Sequence, residues 1–114
     1  MSVKLFTAVA RAAEQHVSLF SPQELANTAW AFTKVERSDK QLFMALARVA
    51  KSRLCNFKTQ ELANTAWASA KVGQSGTQLF AALAPAVERF VADFNVQDLV
   101  NTASAFATAG RSDA

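Results

Sequence analysis

Residues Phe20 to Trp30 read FSPQELANTAW, and this stretch decides how the rest of the chain folds. It returns at Phe57 to Trp67 as FKTQELANTAW and, in weaker form, at Phe94 to Ser104 as FNVQDLVNTAS. Each copy begins 37 residues after the previous one, and residues 20–56 aligned without gaps on residues 57–93 give 19 identities. A fixed period over most of a short chain is the signature of a stacked-repeat protein.

Two kinds of amphipathic helix alternate within this period. Helix A starts inside the repeated stretch. Helix B follows it with apolar residues three, four and seven positions apart, as in Leu42, Phe43, Leu46, Val49 and Ala50. The predicted A helices cover about residues 22–35, 59–72 and 96–109, and the predicted B helices cover about residues 3–17, 39–53 and 76–91.

The sequence therefore predicts an all-α fold, an α-solenoid of 37-residue two-helix (αα) repeats with about three units in the order B-A-B-A-B-A. We expect one right-handed superhelical segment with units at about residues 1–19 (partial), 20–56, 57–93 and 94–114 (partial). Because it starts and stops on half-repeats, we expect a fragment of a longer array.

Helix boundaries carry recognisable signals. Capping residues are expected at three starts, namely Ser21 with Glu24, Ser38 with Gln41, and Asn95 with Asp98. Gly73 and Gly110 lie where helix A should stop. Pro85 replaces the arginine found at Arg48 of the previous B helix, and it predicts a kink near residues 81–84 or a broken helix.

Composition excludes several classes of function. Hydrophobic residues make up 51% and charged residues 18%, which is typical of a folded chain. Cys55 is the only cysteine and His16 the only histidine, so we expect no disulfide, no metal site and no nucleophilic triad. No apolar run approaches the length of a membrane span, and no phosphate-binding loop appears. We expect no enzymatic activity, cofactor or small-molecule substrate.

The charge is +3 and is unevenly spread. Seven basic residues lie between Lys34 and Lys58, against two acidic ones. This density is typical of a surface that binds a polyanion. It is equally typical of a solvated face that keeps the protein soluble, and charge alone does not separate the two.

An asparagine recurs in the middle of each A helix, at Asn27, Asn64 and Asn101, although asparagine is unfavourable there. One hypothesis is a row of amides that face a ligand and offer donor and acceptor to a base edge. The other is a structural asparagine ladder between repeats. Identity in every repeat favours the ladder, because a position that reads sequence should vary.

The same helix face carries further polar residues. Gln23, Gln60 and Gln97 precede the asparagines by four residues, and Lys34 and Lys71 follow the first two by seven. Lysines in line suit phosphates as point charges without sequence information. Arg48 and Lys51 share a face of the central B helix and are weaker candidates.

The repeated aromatic residues are predicted to pack rather than to bind. Trp30 and Trp67 fall among apolar neighbours on the helical wheel, which favours a core role over base stacking. The six repeated phenylalanines are predicted to pack between layers, at Phe6, Phe43, Phe80, Phe20, Phe57 and Phe94. His16 is expected at the surface, near a helix end.

The combination of LANTAW in helix A with QLFxALA in helix B resembles the octotricopeptide-type repeats of organellar RNA-binding proteins. It is also similar to the helical repeats that precede the RAP domain in FAST-kinase-related proteins. The resemblance covers residues 23–32 and 41–47, then 60–68 and 78–84, then 97–106. The third copy departs from it with Ser104 in place of tryptophan, and Ser69 replaces Phe32.

The resemblance implies an α-solenoid that binds single-stranded RNA in a mitochondrion or chloroplast and acts in RNA processing, stability or translation. A RAP domain is not present in these residues. The alternative function is a protein-interaction scaffold that uses the same concave face for a peptide or helix. Glu24, Glu61 and Asp98 lie near the polar face of helix A and count against a purely cationic groove.

Overall fold

The computed structural model describes residues 3–34, 39–73 and 77–113, with the backbone alone for residues 110–113. Six α-helices fill most of this part of the chain, and it contains no strand. They are α1 (Val3–His16), α2 (Pro22–Lys34), α3 (Lys40–Ser52), α4 (Thr59–Lys71), α5 (Thr77–Phe90) and α6 (Val96–Asp113). The prediction of an all-α fold is confirmed.

The helices recur with the period of the sequence. α2, α4 and α6 begin at Pro22, Thr59 and Val96, 37 residues apart, and α1, α3 and α5 begin with the same spacing. Every described helix start and end lies within one residue of its prediction except the end of α6. The stop predicted at Gly110 is wrong, because α6 continues to Asp113. The alanine-rich sequence before it favours helix strongly enough to tolerate one glycine.

Gly73 behaves as predicted. It follows the end of α4 and has a φ of 68°, which lies in the left-handed region that a side chain disfavours. The residue therefore suits the turn that ends this A helix.

The link from each B helix to the next A helix has one repeated conformation. α1, α3 and α5 are followed by 3₁₀ turns at Val17–Leu19, Leu54–Asn56 and Val91–Asp93. The phenylalanine after each turn is extended and donates its N–H to the first carbonyl of the turn, over 3.1, 3.2 and 3.1 Å for Phe20, Phe57 and Phe94. The first residue of the repeated motif thus fixes the corner between the two helices.

The helices form two rows. α3 packs against α1 and α5, while α4 packs against α2 and α6. Contacts of α2 with α3 and of α4 with α5 join the rows. Large side chains between them are at most 1% exposed, including Leu42, Phe43, Leu46, Leu62, Leu79 and Leu83. Burial of apolar surface between the rows provides the main stabilisation.

The prediction that the repeated phenylalanines pack is confirmed. Phe43, Phe57 and Phe94 are buried, and Phe6, Phe20 and Phe80 are partly buried against the core. Phe6 and Phe32 form an edge-to-face pair with centroids 6.0 Å apart, and Phe80 and Phe106 form the equivalent pair at 5.3 Å. At the middle position Ser69 is buried, and its hydroxyl donates to the Ala66 carbonyl at 2.9 Å.

Two of the three predicted helix caps are observed. Ser21 and Glu24 bond reciprocally, with the Ser21 N–H donating to Glu24 Oε1 at 2.8 Å and the Glu24 N–H donating to Ser21 Oγ at 3.1 Å. Asn95 and Asp98 form the same box at α6. At α3 the cap is Asp39, whose carboxylate accepts the Leu42 N–H at 2.9 Å. Ser38, the predicted cap, lies outside the described residues.

Pro85 lies inside α5, which runs unbroken from Thr77 to Phe90. Of the two expected outcomes, the broken helix is therefore wrong, and the kink near residues 81–84 stays a prediction. Pro85 is exposed, and the three leucine and valine residues of α5 remain buried in the core: Leu79, Leu83 and Val87 are at most 1% exposed. Packing of this face holds the helix together across the missing hydrogen bond.

No helix among the described residues has the length and apolar character that crossing a membrane requires.

Candidate functional site on helices α2, α4 and α6

Twelve side chains of α2, α4 and α6 form four rows across one surface, which we call the strip. None of them is buried. The rows are Gln23, Gln60 and Gln97; Asn27, Asn64 and Asn101; Trp30, Trp67 and Ser104; and Lys34, Lys71 and Thr108. Eight of the ten binding residues predicted from the sequence lie on the strip, and Arg48 and Lys51 do not.

Helical geometry explains why these residues line up. On the central helix α4, the positions i, i+4, i+7 and i+11 are Gln60, Asn64, Trp67 and Lys71, and this spacing keeps them on one side of a helix. The remaining sides of α4 are used for packing, because seven of its thirteen residues are buried. The strip is the side of α4 that the neighbouring helices leave open.

The four strip residues of each helix form one column. A hydrogen bond between side chains joins the columns of α4 and α6. Asn101 Nδ2 donates to Asn64 Oδ1 at 3.0 Å, and Gln97 Nε2 donates to Asn101 Oδ1 at 3.2 Å. The ladder hypothesis therefore holds between α4 and α6. Asn27 on α2 is exposed and takes no part in this bond, so its amide is the most accessible of the three.

The columns of α2 and α4 are joined one layer below the surface. The Thr33 hydroxyl lies 2.9 Å from the Ala29 carbonyl of its own helix and 3.1 Å from the Ala68 carbonyl of α4, so the two oxygens share its one proton. Thr33 immediately precedes Lys34, and Ala68 immediately follows Trp67. The lysine ends of both columns therefore belong to one continuous surface.

The core role predicted for Trp30 is wrong. Trp30 is 42% exposed, and Trp67 is partly buried against the core. Each tryptophan lies five residues after a buried leucine, about 140° around the helix and so at the edge of its apolar arc. Small neighbours such as Ala29 complete the packing without the indole.

Each tryptophan is paired with the lysine that follows it by four residues. Lys34 Nζ lies 4.6 Å from the Trp30 ring centroid, and Lys71 Nζ lies 5.8 Å from the Trp67 centroid. Exposed cation–π contacts of this kind contribute about 0.5–1 kcal/mol. Stacking of a nucleobase on an aromatic side chain is worth about 1–3 kcal/mol. A base would therefore compete favourably with the lysine for the ring.

The carboxylates near the strip serve as helix caps. Glu24 and Asp98 belong to capping boxes, and Glu61 Oε1 accepts the Lys58 N–H at 2.9 Å. Lys58 has no acceptor atom, so the box at α4 is only half formed. Asp98 is 2% exposed. These acids are directed to the helix N-termini, at the opposite end of each column from Lys34 and Lys71.

Several other basic side chains are already engaged. Arg53 donates to the carbonyls of Ser18 and Phe20, which ties α3 to the link before α2. Arg11 pairs with Glu14 at 3.1 Å and also with Asp39. Arg11 occupies the position equivalent to Arg48, and these pairs account for it as a structural residue.

Arg48 and Lys51 lie on the other row of helices, where they line a groove of about 530 Å³ between α3 and α5. Met44, Leu54 and Pro85 contribute apolar lining to it. The structure therefore separates these two cations from the strip, and the ten predicted residues form two surfaces instead of one.

In the described ranges, no group of three or more His, Cys, Asp or Glu side chains is arranged to hold a metal ion. His16 is exposed at the end of α1, as predicted. Cys55 is an exposed free thiol in the turn after α3.

What sequence reasoning missed are the contacts of Trp30 with Lys34 and of Trp67 with Lys71. Their signal was present, since each tryptophan precedes a lysine by four residues and such pairs share a helix face. Comparison with known proteins adds no further assignment: no protein-family model, curated protein or solved structure matches this chain.

Proposed function

We propose that this chain is a segment of an α-solenoid that binds single-stranded RNA along the strip. Lys34 and Lys71 contact phosphates, while Asn27 and the glutamines of the same columns lie near bases. The observation that carries the proposal is the alignment of exposed, lysine-bearing columns on neighbouring helices. The Thr33–Ala68 bond joins these two columns, and the Asn64–Asn101 bond joins the column of α4 to that of α6.

The repeat architecture suits a linear polymer. Helices that recur every 37 residues present equivalent side chains at regular intervals, and helical-repeat RNA readers use one base per repeat. Three units would then contact about three nucleotides, and binding would be weak. Two lysines are the only charged groups of the strip, so we expect affinity to come mainly from phosphates and to depend on salt.

The resemblance of the repeated motif also supports a proposal for the RNA target and the cellular process. It suggests a mitochondrial or chloroplast transcript as the RNA, with processing, stability or translation as the process. We propose a binding role without catalysis for this segment.

The test is fluorescence anisotropy of a short labelled single-stranded RNA of degenerate sequence, titrated with the protein over a series of salt concentrations. We expect the affinity to fall as salt rises. Lys34→Ala/Lys71→Ala should weaken binding at low salt and reduce the slope of log K against log salt by about 1.4, since each phosphate contact contributes about 0.7 on single strands.

Lys4→Ala/Lys40→Ala is the matched control, because both lysines are exposed on the other row of helices and the same charge is removed. It should leave the slope at the parent value. Equal effects of the two double variants would contradict the assignment to the strip. An absence of RNA binding at low salt would reject the function.

A protein-interaction scaffold is the second candidate, and the groove between α3 and α5 favours it. This groove combines an apolar lining with Arg48 and Lys51, a composition that suits an acidic amphipathic peptide. If Arg48→Ala/Lys51→Ala abolishes peptide binding while RNA never binds, the scaffold function replaces the RNA-binding one.

A further inference from the structure

The strip contains two aromatic residues that its polar rows do not explain. Trp30 on α2 and Trp67 on α4 occupy equivalent positions, 37 residues apart, and each lies beneath the ammonium group of the following lysine. Trp30 is 42% exposed, which is unusual for the largest apolar side chain in a protein whose core is otherwise well formed.

Packing does not require an aromatic side chain at this position. The equivalent residue of α6 is Ser104, and α6 still forms a helix that packs against α4. The lysine position changes on the same helix, because Thr108 of α6 is the equivalent of Lys34 and Lys71. Tryptophan and lysine are therefore present together on two helices and absent together from the third.

The geometry points to a nucleotide-binding role for each Trp–Lys pair, an inference that rests on the proposed RNA-binding function. We propose that the indoles of Trp30 and Trp67 stack on two unpaired bases, while Lys34 and Lys71 pair with the adjoining phosphates. In the free protein the ammonium group covers the ring. An arriving base takes its place, and the displaced lysine becomes available to the phosphate.

The spacing of the pairs favours a single strand over a duplex. Packed helices lie about 8–10 Å apart, whereas stacked bases along one strand are about 3.4 Å apart. Two bases that occupy neighbouring pairs must therefore be unstacked from each other, which only single-stranded RNA permits at low cost. Every base has a π-face, so this part of the site is tolerant of sequence.

The composition of the chain makes the inference directly measurable. It contains two tryptophans and no tyrosine, so intrinsic fluorescence excited at the indole band reports on these two positions alone. Trp67→Phe leaves Trp30 as the only indole, and Trp30→Phe leaves Trp67. We expect a short homopolymeric single-stranded RNA to quench the emission of both variants, in parallel with its binding by anisotropy.

Affinity separates stacking from mere proximity. Trp→Phe keeps an aromatic ring and should retain most of the affinity, whereas Trp→Leu keeps an apolar side chain of good helix propensity and removes the ring. We expect each leucine variant to bind about tenfold more weakly, within the range of about 5- to 150-fold that base stacking corresponds to. Its salt slope should be unchanged, because the phosphate contacts remain.

The outcomes distinguish this inference from the proposed function. If RNA binds with the expected salt dependence but the emission is unchanged and the leucine variants bind like the parent, the Trp–Lys pairs are not the base sites and only the inference fails. If RNA does not bind at all, both fail. Circular dichroism tests whether the leucine variants keep the fold. If they lose it, fluorescence quenching of the phenylalanine variants still reports on stacking.

Discussion

Asn101 donates a side-chain hydrogen bond to Asn64 across two helices, and the two residues are equivalent positions of neighbouring repeats. The bond links α4 to α6 at the surface, above the apolar contacts that hold the same helices together. An amide at this position compensates for its poor helix propensity by a contact that only the next repeat provides.

A double-mutant cycle on Asn64 and Asn101 tests this contact. We expect Asn64→Ala and Asn101→Ala to be coupled by about 0.5–1.5 kcal/mol in the free energy of unfolding, because either change removes the same hydrogen bond. Urea denaturation followed by circular dichroism gives the four free energies. The cycle of Asn27→Ala with Asn101→Ala is the control and should show no coupling; equal coupling in both cycles would contradict a specific bond.

Equivalent positions of two repeats can differ in burial, so the same substitution should lower the free energy of unfolding by different amounts. Leu62 is 1% exposed in α4, whereas its equivalent Leu99 is 45% exposed in α6. Leu62→Ala should lower the free energy of unfolding by about 2–5 kcal/mol, since it leaves a cavity. Leu99→Ala should cost less than about 1 kcal/mol. Similar urea midpoints for the two variants would mean that Leu99 is covered in solution.

The repeat also shows what could be predicted from the sequence. The period and the helical spacing of apolar residues located all six helices, because both are local properties of the chain. The rows of glutamine, asparagine and lysine were also located, since the residues of each column share a helix face. The partners of those residues depend on neighbouring helices, and for this reason the engagement of Arg11 with Asp39 could not be predicted.

Trp30 shows most clearly what could not be predicted from the sequence. A residue at the edge of an apolar arc is buried or exposed according to how closely the next helix approaches, and the sequence of α2 does not contain that distance. The unbroken α5 has a similar explanation. Its buried leucines hold the helix together around Pro85, and this is an energetic balance that a local rule for proline omits.

Pro85 should nevertheless reduce stability. It is exposed, so replacing it creates no cavity, and an alanine there restores the backbone N–H that can donate to the Ala81 carbonyl. We expect Pro85→Ala to raise the free energy of unfolding by about 1–3 kcal/mol. Arg48→Ala at the equivalent exposed position of α3 is the control and should change it by less than about 0.5 kcal/mol. A loss of stability in Pro85→Ala would show that the proline is required by its surroundings.

The third column offers a gain-of-function test of the strip. Ser104 and Thr108 on α6 are half-buried positions equivalent to Trp67 and Lys71. Ser104→Trp/Thr108→Lys should create a third Trp–Lys pair, tighten RNA binding about fivefold or more through stacking, and steepen the salt slope by about 0.7.

Ser104→Trp/Thr108→Gln isolates the contribution of the aromatic ring, because it should tighten binding without changing the slope. Since a gain of affinity at a designed position cannot result from loss of folding, anisotropy with these two variants separates base stacking from a general effect of charge. Binding no tighter than the parent, with the fold intact by circular dichroism, would contradict the equivalence of the three columns.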